Sequence, residues 1–166
     1  QLNTNVTRYS RDTTSGTRDG FFTTIGYKDA VSNDTKIPGA TIVSSNGDMI
    51  AKIKADNNGI GYISLASLSD SGLKGLSYEG VAPTEAGVVD GTYKLQRNFN
   101  YISRAESDCT ADEWNMIQCF LAYMDSKEGL AIIKSKDGIL TKNVNDAKSW
   151  SEIRDANETV KALCQK

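Results

Sequence analysis

At 166 residues the chain is long enough for one domain with a sizeable core, and 39% hydrophobic with 24% charged residues is an ordinary globular balance. Its 19 basic and 21 acidic residues leave a net charge of −2, which argues against a polyanion-binding surface and so against nucleic acid as a partner. There is no histidine, which removes Ser-His-Asp and Cys-His mechanisms and histidine metal sites, and no apolar run reaches the roughly 18 residues of a membrane span.

Gln1-Leu2-Asn3 is polar, carries no leader pattern, and reads as a starting point inside a longer protein. Asn5-Val6-Thr7-Arg8-Tyr9 alternates apolar and polar residues and predicts a strand. A first helix is predicted from Ser15 to about Ala30, with Phe21, Phe22 and Ile25 at helical spacing, followed by a polar loop that breaks at Pro38-Gly39. Ala40-Thr41-Ile42-Val43 predicts a second strand, and Asn46 caps a predicted second helix through Ile50, Ile53 and Ala55, whose spacing suits one buried face. Asn57-Asn58-Gly59 closes that helix, and Ile60 to Leu65 reads as a central strand. Strand, helix, strand, helix, strand is the α/β order, in which ligands collect beyond the carboxyl ends of strands.

Farther on, Lys74 to Glu79 predicts a strand, Thr84 to about Gly91 a short helix, and Phe99 to Ser103 another strand. Thr110 with Glu113 forms a capping box for a long helix whose stripe of Trp114, Ile117, Phe120, Leu121 and Met124 reads as core. Lys127 to Ser135 and Asp146 to Leu163 predict two further helices. Cys109, Cys119 and Cys164 have no metal-ligand spacing; they are three separate thiols or one disulfide and a thiol.

The chemistry concentrates in Tyr9-Ser10-Arg11-Asp12-Thr13-Thr14-Ser15-Gly16-Thr17-Arg18-Asp19. Ser15-Gly16-Thr17 falls where a helix begins, and a helix start offers unpaired amides and partial positive charge. Glycine lets an anion approach the backbone, the hydroxyls donate, and Arg11 and Arg18 flank the turn with guanidinium forks suited to phosphate oxygens. The plain alternative is an ordinary serine N-cap. The turn is not a P-loop, lacking the lysine that motif needs. Ser44-Ser45-Asn46-Gly47 also follows a strand and opens a helix, so Ser45, Asn46 and Gly47 are second-line anion candidates, with Asn46 as a simple cap the competing reading. No carboxylate pair stands out for acid–base work, no metal site and no cofactor is indicated, and no catalytic residue is assigned.

Ser10-Arg11 with Ser15-Gly16-Thr17-Arg18 resembles the S-R-E-x-G-S-G-T-R signature of the phosphate-binding proteins that serve phosphate ABC transporters. Val43-Ser44-Ser45-Asn46-Gly47, Gly59-Ile60-Gly61-Tyr62-Ile63-Ser64-Leu65, Gly80-Val81-Ala82-Pro83-Thr84 and Tyr93-Lys94-Leu95-Gln96-Arg97-Asn98-Phe99 are similar to further motifs of that family, in its order. The resemblance implies an α/β, three-layer sheet-and-helix lobe of a type II periplasmic-binding-protein fold. It treats 1–166 as a single domain, with 8–104 resembling the family's second lobe and 105–166 a helical C-terminal segment.

It further implies that Arg11, Ser15, Gly16 and Thr17 contact phosphate. Arg18 either joins them or pairs with Asp19 or another carboxylate to brace the turn. Implied partners are inorganic phosphate, a membrane permease and ATPase, and the absent first lobe or a second copy of the chain. The implied location is extracellular or periplasmic, held at the membrane through an N-terminal anchor not present in this chain. The sequence departs from the family pattern at Thr13 and Thr14, where the family has Asp and Gly, so Arg11 lacks the expected ion-pair partner. The competing function is an interaction or sensory module that keeps the fold and has lost the ligand. A phosphoryl-transfer enzyme ranks third.

Overall fold

The computed structural model describes residues 5–136 and 138–163. They fall into two compact units, Gln1–Asn98 and Phe99–Lys166. The boundary lies at 98/99, where the family resemblance put its own division at 104/105.

The first unit is built on a parallel three-stranded sheet in the order β2-β1-β3, with β1 at Thr7–Arg11, β2 at Thr41–Val43 and β3 at Gly59–Ile60. Tyr9, Ser10 and Arg11 register with Thr41, Ile42 and Val43, and Thr7 and Arg8 with Gly59 and Ile60. Helix α1, Gly16–Thr24, joins β1 to β2, and α2, Asn46–Ala55, joins β2 to β3. The two crossovers run in opposite directions across the sheet, from β1 to β2 and then from β2 past β1 to β3. Right-handed connections therefore put the helices on opposite faces of the sheet and create a switch of direction at β1.

Each helix starts where the sequence supplies a hydroxyl. Ser15 Oγ accepts from the Arg18 amide, Ser45 Oγ from that of Asp48, and Ser64 Oγ from that of Ser67 at the head of α3, Leu65–Ser69. Met49, Val43, Phe22 and Ala30 form the buried apolar centre. α4 occupies Glu85–Val89 behind its Thr84 cap.

Helix α2 ends at Ala55 as predicted, but its cap is Ser45 rather than Asn46, which is the first helical residue. The first helix is shorter than predicted: it stops at Thr24, and Lys28–Ala30 is a separate 3-10 turn. β3 ends at Ile60 rather than Leu65. The reason is a side chain: Tyr62 Oη accepts the Arg11 N–H at 3.1 Å, where a longer strand would have placed a carbonyl, and Ser64 then opens α3. The strand predicted over 74–79 is reduced to a single bridge between Tyr78 and Val81. Phe99 to Ser103 has no regular structure, and its alternating apolar residues are exposed, Phe99 by 87% and Ile102 by 97%. Alternation needs a neighbouring strand, and among the described residues of the second unit there is none.

That second unit is helical: α5 at Ala111–Met124, α6 at Lys127–Ser135, α7 at Trp150–Asp155 and α8 at Glu158–Leu163. The segment predicted as one helix from Asp146 is therefore two. The predicted apolar stripe on α5 is not a buried core: Trp114, Ile117, Leu121 and Met124 are half-buried and Phe120 is 57% exposed. Tyr123 meets Trp150 edge to face, with ring centroids 5.3 Å apart. Cys109 and Cys119 are half-buried, and Cys164 lies outside the described residues.

Capping boxes open α5, through Thr110 and Glu113, and α7, through Ser149 and Glu152. Hydrogen bonds from Thr110 hold the Glu113 carboxyl below its ordinary range, and those from Ser149 do the same for Glu152. A carboxyl whose pKa is depressed by folding stabilises the fold above its unfolded value and loses that contribution as the pH falls through the folded one. Helicity of this unit, followed by far-ultraviolet circular dichroism, should thus decline on acidification below about pH 4. Thr110→Ala should cost about 1 kcal/mol in a denaturant melt.

Candidate functional site

β1 and β2 end side by side at Arg11 and Val43, so the turns that follow them share one rim of the sheet. The first turn closes when the Ser15 amide donates to the Asp12 carbonyl at 3.1 Å. Asp12 Oδ1 accepts from the Thr14 amide at 3.0 Å and from the Thr14 hydroxyl. These bonds, led by that hydroxyl, pull the Asp12 carboxyl below its ordinary pKa, with a smaller contribution from Arg11. Thr13 and Thr14, where the family pattern has Asp and Gly, are both exposed and build this Asx turn without a left-handed residue.

Beyond the turn, Ser15 is buried as the cap, Gly16 is exposed and Thr17 is half-buried. Among the described residues, no protein group accepts from the Gly16 or Thr17 amides or pairs with the Thr17 hydroxyl. The head of α1 therefore presents two amides and a hydroxyl to solvent, in the field of a helix start.

Arg11 is not loose, despite lacking the family's carboxylate. Its Nη1 donates to Asn46 Oδ1 at 2.8 Å and its Nη2 to the Ser44 carbonyl at 3.1 Å, while Asp12 lies 3.9 Å away. Asn46 is itself held, donating through Nδ2 to Ser64 Oγ and Ser67 Oγ at 3.1 Å each. Arg11 Nε is buried and has no hydrogen-bond partner. Tyr62 Oη lies 2.6 Å from Ser10 Oγ, and the Tyr62 ring stacks on Phe21 at 4.3 Å. Strand end, both turns and the head of α3 are thus tied into one network.

Arg18 has a different position from its neighbour in the sequence. Its side chain is fully buried; Nε and Nη2 donate to the Ala30 carbonyl at 2.9 and 2.6 Å, and Nη1 donates to the Arg11 carbonyl at 2.7 Å and to Asp34 Oδ1 at 2.5 Å. It braces the turn from behind, with Asp34 rather than Asp19 as its carboxylate, and its donors are spent within the protein. In the second-line set, Ser45 is the α2 cap, Asn46 is committed to Arg11 and the α3 serines, and Gly47 is exposed on the same rim. The role of Asn46 as the anchor of Arg11 was hidden in the sequence; the only signal was a polar residue in the turn after the neighbouring strand. No group of histidine, cysteine or acidic side chains among the described residues is arranged to hold a metal.

No family model matches the chain. Phosphate-binding protein PstS 2 of Streptococcus agalactiae is 31% identical over 147 residues, covering 85% of this chain and 46% of that protein. The protein of the same name from Streptococcus pneumoniae is 34% identical over 129 residues, covering 75% of this chain and 41% of its own length. Phosphate-binding protein PstS of Bacillus subtilis is 31% identical over 153 residues, covering 92% of this chain and 45% of that protein. The chain is related to the phosphate-binding proteins. It spans less than half the length of each of these relatives.

The fold agrees. A phosphate-binding protein of a Streptococcus pneumoniae phosphate ABC transporter superimposes with a TM-score of 0.70 at 24% identity, over 96% of this chain and 65% of that one. A phosphate transport receptor from Vibrio cholerae does so with a TM-score of 0.63 at 24% identity, over 82% and 53%. The α/β lobe is therefore of the periplasmic phosphate-binding-protein kind, as the motifs implied.

Asn46→Ala would leave Arg11 Nη1 and the Ser64 and Ser67 hydroxyls without their shared partner. The expected result is a loss of about 1–3 kcal/mol in a denaturant melt. The Asp12 carboxyl, followed by NMR, should titrate below the ordinary aspartate range. Thr14 amide protection, present above that range, should be lost as the pH falls through the depressed value.

Proposed function

We propose that this chain binds inorganic phosphate, as one lobe of a solute-binding protein that delivers the ion to a membrane permease and ATPase. The observation that carries the reading is the arrangement on one rim: Arg11 fixed by Asn46 and Ser44, beside a helix start whose Gly16 and Thr17 amides are open. Arg11 would give paired N–H bonds, Ser15 and Thr17 hydroxyl and amide bonds, and Gly16 an amide at close range. Arg18 stays behind the turn and acts on the anion only by shaping it. Ser45 and Gly47 belong to the neighbouring helix start, whose dipole adds to the field on the same rim.

The relatives' names support a binding protein in transport rather than an enzyme. The same kinship supports an extracellular or periplasmic location; attachment at the membrane and a first lobe or a second copy of the chain as the other wall of the cleft are part of what we propose. The second reading, an interaction or sensory module without ligand, rests on Thr13 and Thr14 in place of the family's Asp and Gly.

Phosphate titrated into the chain, followed by calorimetry and by the Gly16 and Thr17 amide shifts, should bind with affinity weaker than micromolar, because one wall leaves much of the anion hydrated. Arg11→Ala should abolish the response, whereas Ser15→Ala should also cost about 1 kcal/mol of stability as a lost cap. No phosphate-dependent shift at either amide would favour the module without ligand. Submicromolar affinity would contradict the one-wall reading.

A further inference from the structure

We propose that Asn46 is a positioning residue for the anion: as a neutral amide it holds the Arg11 guanidinium at the rim and leaves the charge there for a ligand. The inference rests on the phosphate-binding reading above. The Arg11 side chain keeps 12% exposure at the end of β1. Both acceptors it meets at hydrogen-bond distance are uncharged, Asn46 Oδ1 at 2.8 Å from Nη1 and the Ser44 carbonyl at 3.1 Å from Nη2. The carboxylates of the same two turns are engaged elsewhere. Asp12 stands off at 3.9 Å and accepts from the Thr14 amide and hydroxyl, while Asp48 accepts from the Ser44 amide at 3.3 Å.

A guanidinium must be held by acceptors, and the kind of acceptor decides how much charge is left for a ligand. A carboxylate in contact would hold Arg11 as firmly but offset its charge, so an incoming anion would meet an ion pair instead of a cation. An amide oxygen holds it by geometry alone. Asn46 can do so because its orientation is fixed from both ends. Arg11 only donates, so the amide oxygen must face it. The Nδ2 end then donates to Ser64 Oγ and Ser67 Oγ at 3.1 Å each, and those hydroxyls lie 2.8 Å apart. A rim built this way selects by charge, and favours a multiply charged oxyanion over a monoanion.

The test compares wild type, Asn46→Asp and Asn46→Ser with inorganic phosphate as the probe. Binding is read by calorimetry and by the Gly16 and Thr17 amide shifts at low and high salt, with the melting temperature alongside. Aspartate keeps an oxygen for Arg11, the serine hydroxyls can turn to donate to it, and a carboxylate suits the start of α2. The melting temperature should therefore hold while binding weakens about tenfold, and the deficit relative to wild type should persist at high salt, because a contact pair is screened far less than distant charges. Serine is neutral and too short to join Arg11 to α3, so it should weaken binding and leave the salt dependence unaltered. If Asn46→Asp does not fold, that result from Asn46→Ser carries the support. Wild-type affinity in either folded variant, or a deficit in Asn46→Asp that high salt removes, overturns the role of Asn46 and leaves the phosphate reading standing. Wild-type protein without any phosphate-dependent shift overturns both.

Discussion

The bond from Arg11 Nη1 to Asn46 Oδ1 is the constraint on which the rim depends. It links the carboxyl end of the central strand to the first residue of α2, and Asn46 passes the link on to Ser64 and Ser67 at the head of α3. An amide can do this because it accepts and donates at once, where a carboxylate in the same place could only accept. The guanidinium needs an acceptor and the two serine oxygens accept N–H groups, and Asn46 supplies one oxygen and two N–H groups to them. Remove it and the end of β1 and the starts of α2 and α3 lose their common reference. The Tyr62 hydroxyl does parallel work on the other side of β1, between Ser10 Oγ and the Arg11 amide.

Arg11 and Arg18 are seven residues apart and equally basic, yet burial separates their roles. A fully buried guanidinium is tolerable only if its donors are matched, because desolvation costs more than a single exposed ion pair returns. Arg18 meets that requirement with two carbonyls and Asp34, and its guanidinium carbon also sits 5.7 Å from the centre of the Phe22 ring. Such a residue is bound to the fold and cannot leave its partners for a ligand. Arg11 is fixed by fewer bonds and keeps a buried Nε without a partner. Its side chain is oriented but not exhausted, which is the state a ligand contact needs.

Features that depend on nearby residues were legible in the sequence. The end of α2 at Ala55, the Thr110–Glu113 capping box and the serine start of α1 follow from hydroxyls and apolar spacing a few residues apart. Features that depend on distant partners were not. Ile60 to Leu65 has strand composition, but its length was decided by a tyrosine hydroxyl taking a backbone donor from β1. Phe99 to Ser103 alternates as a strand does and finds no strand beside it in its own unit. At the site, the Ser15-Gly16-Thr17 turn could be located because helix starts have a sequence signature. Asn46 as the anchor of Arg11 could not, since the contact spans 35 residues.

Under the phosphate-binding reading, what a single rim lacks is enclosure more than donors. Two charges 4 Å apart attract by about 1 kcal/mol in water and by about 4 kcal/mol in surroundings of effective dielectric near 20. The Gly16 amide is exposed, so an anion there stays close to the first regime and gains little from each contact it makes. A second wall, whatever its chemistry, would expel water and raise the worth of the bonds already present. That separates two properties usually treated as one. On that reading, the choice of a tetrahedral anion would lie with the open amides and Arg11 of this lobe. The strength with which it is held belongs to whatever closes over them.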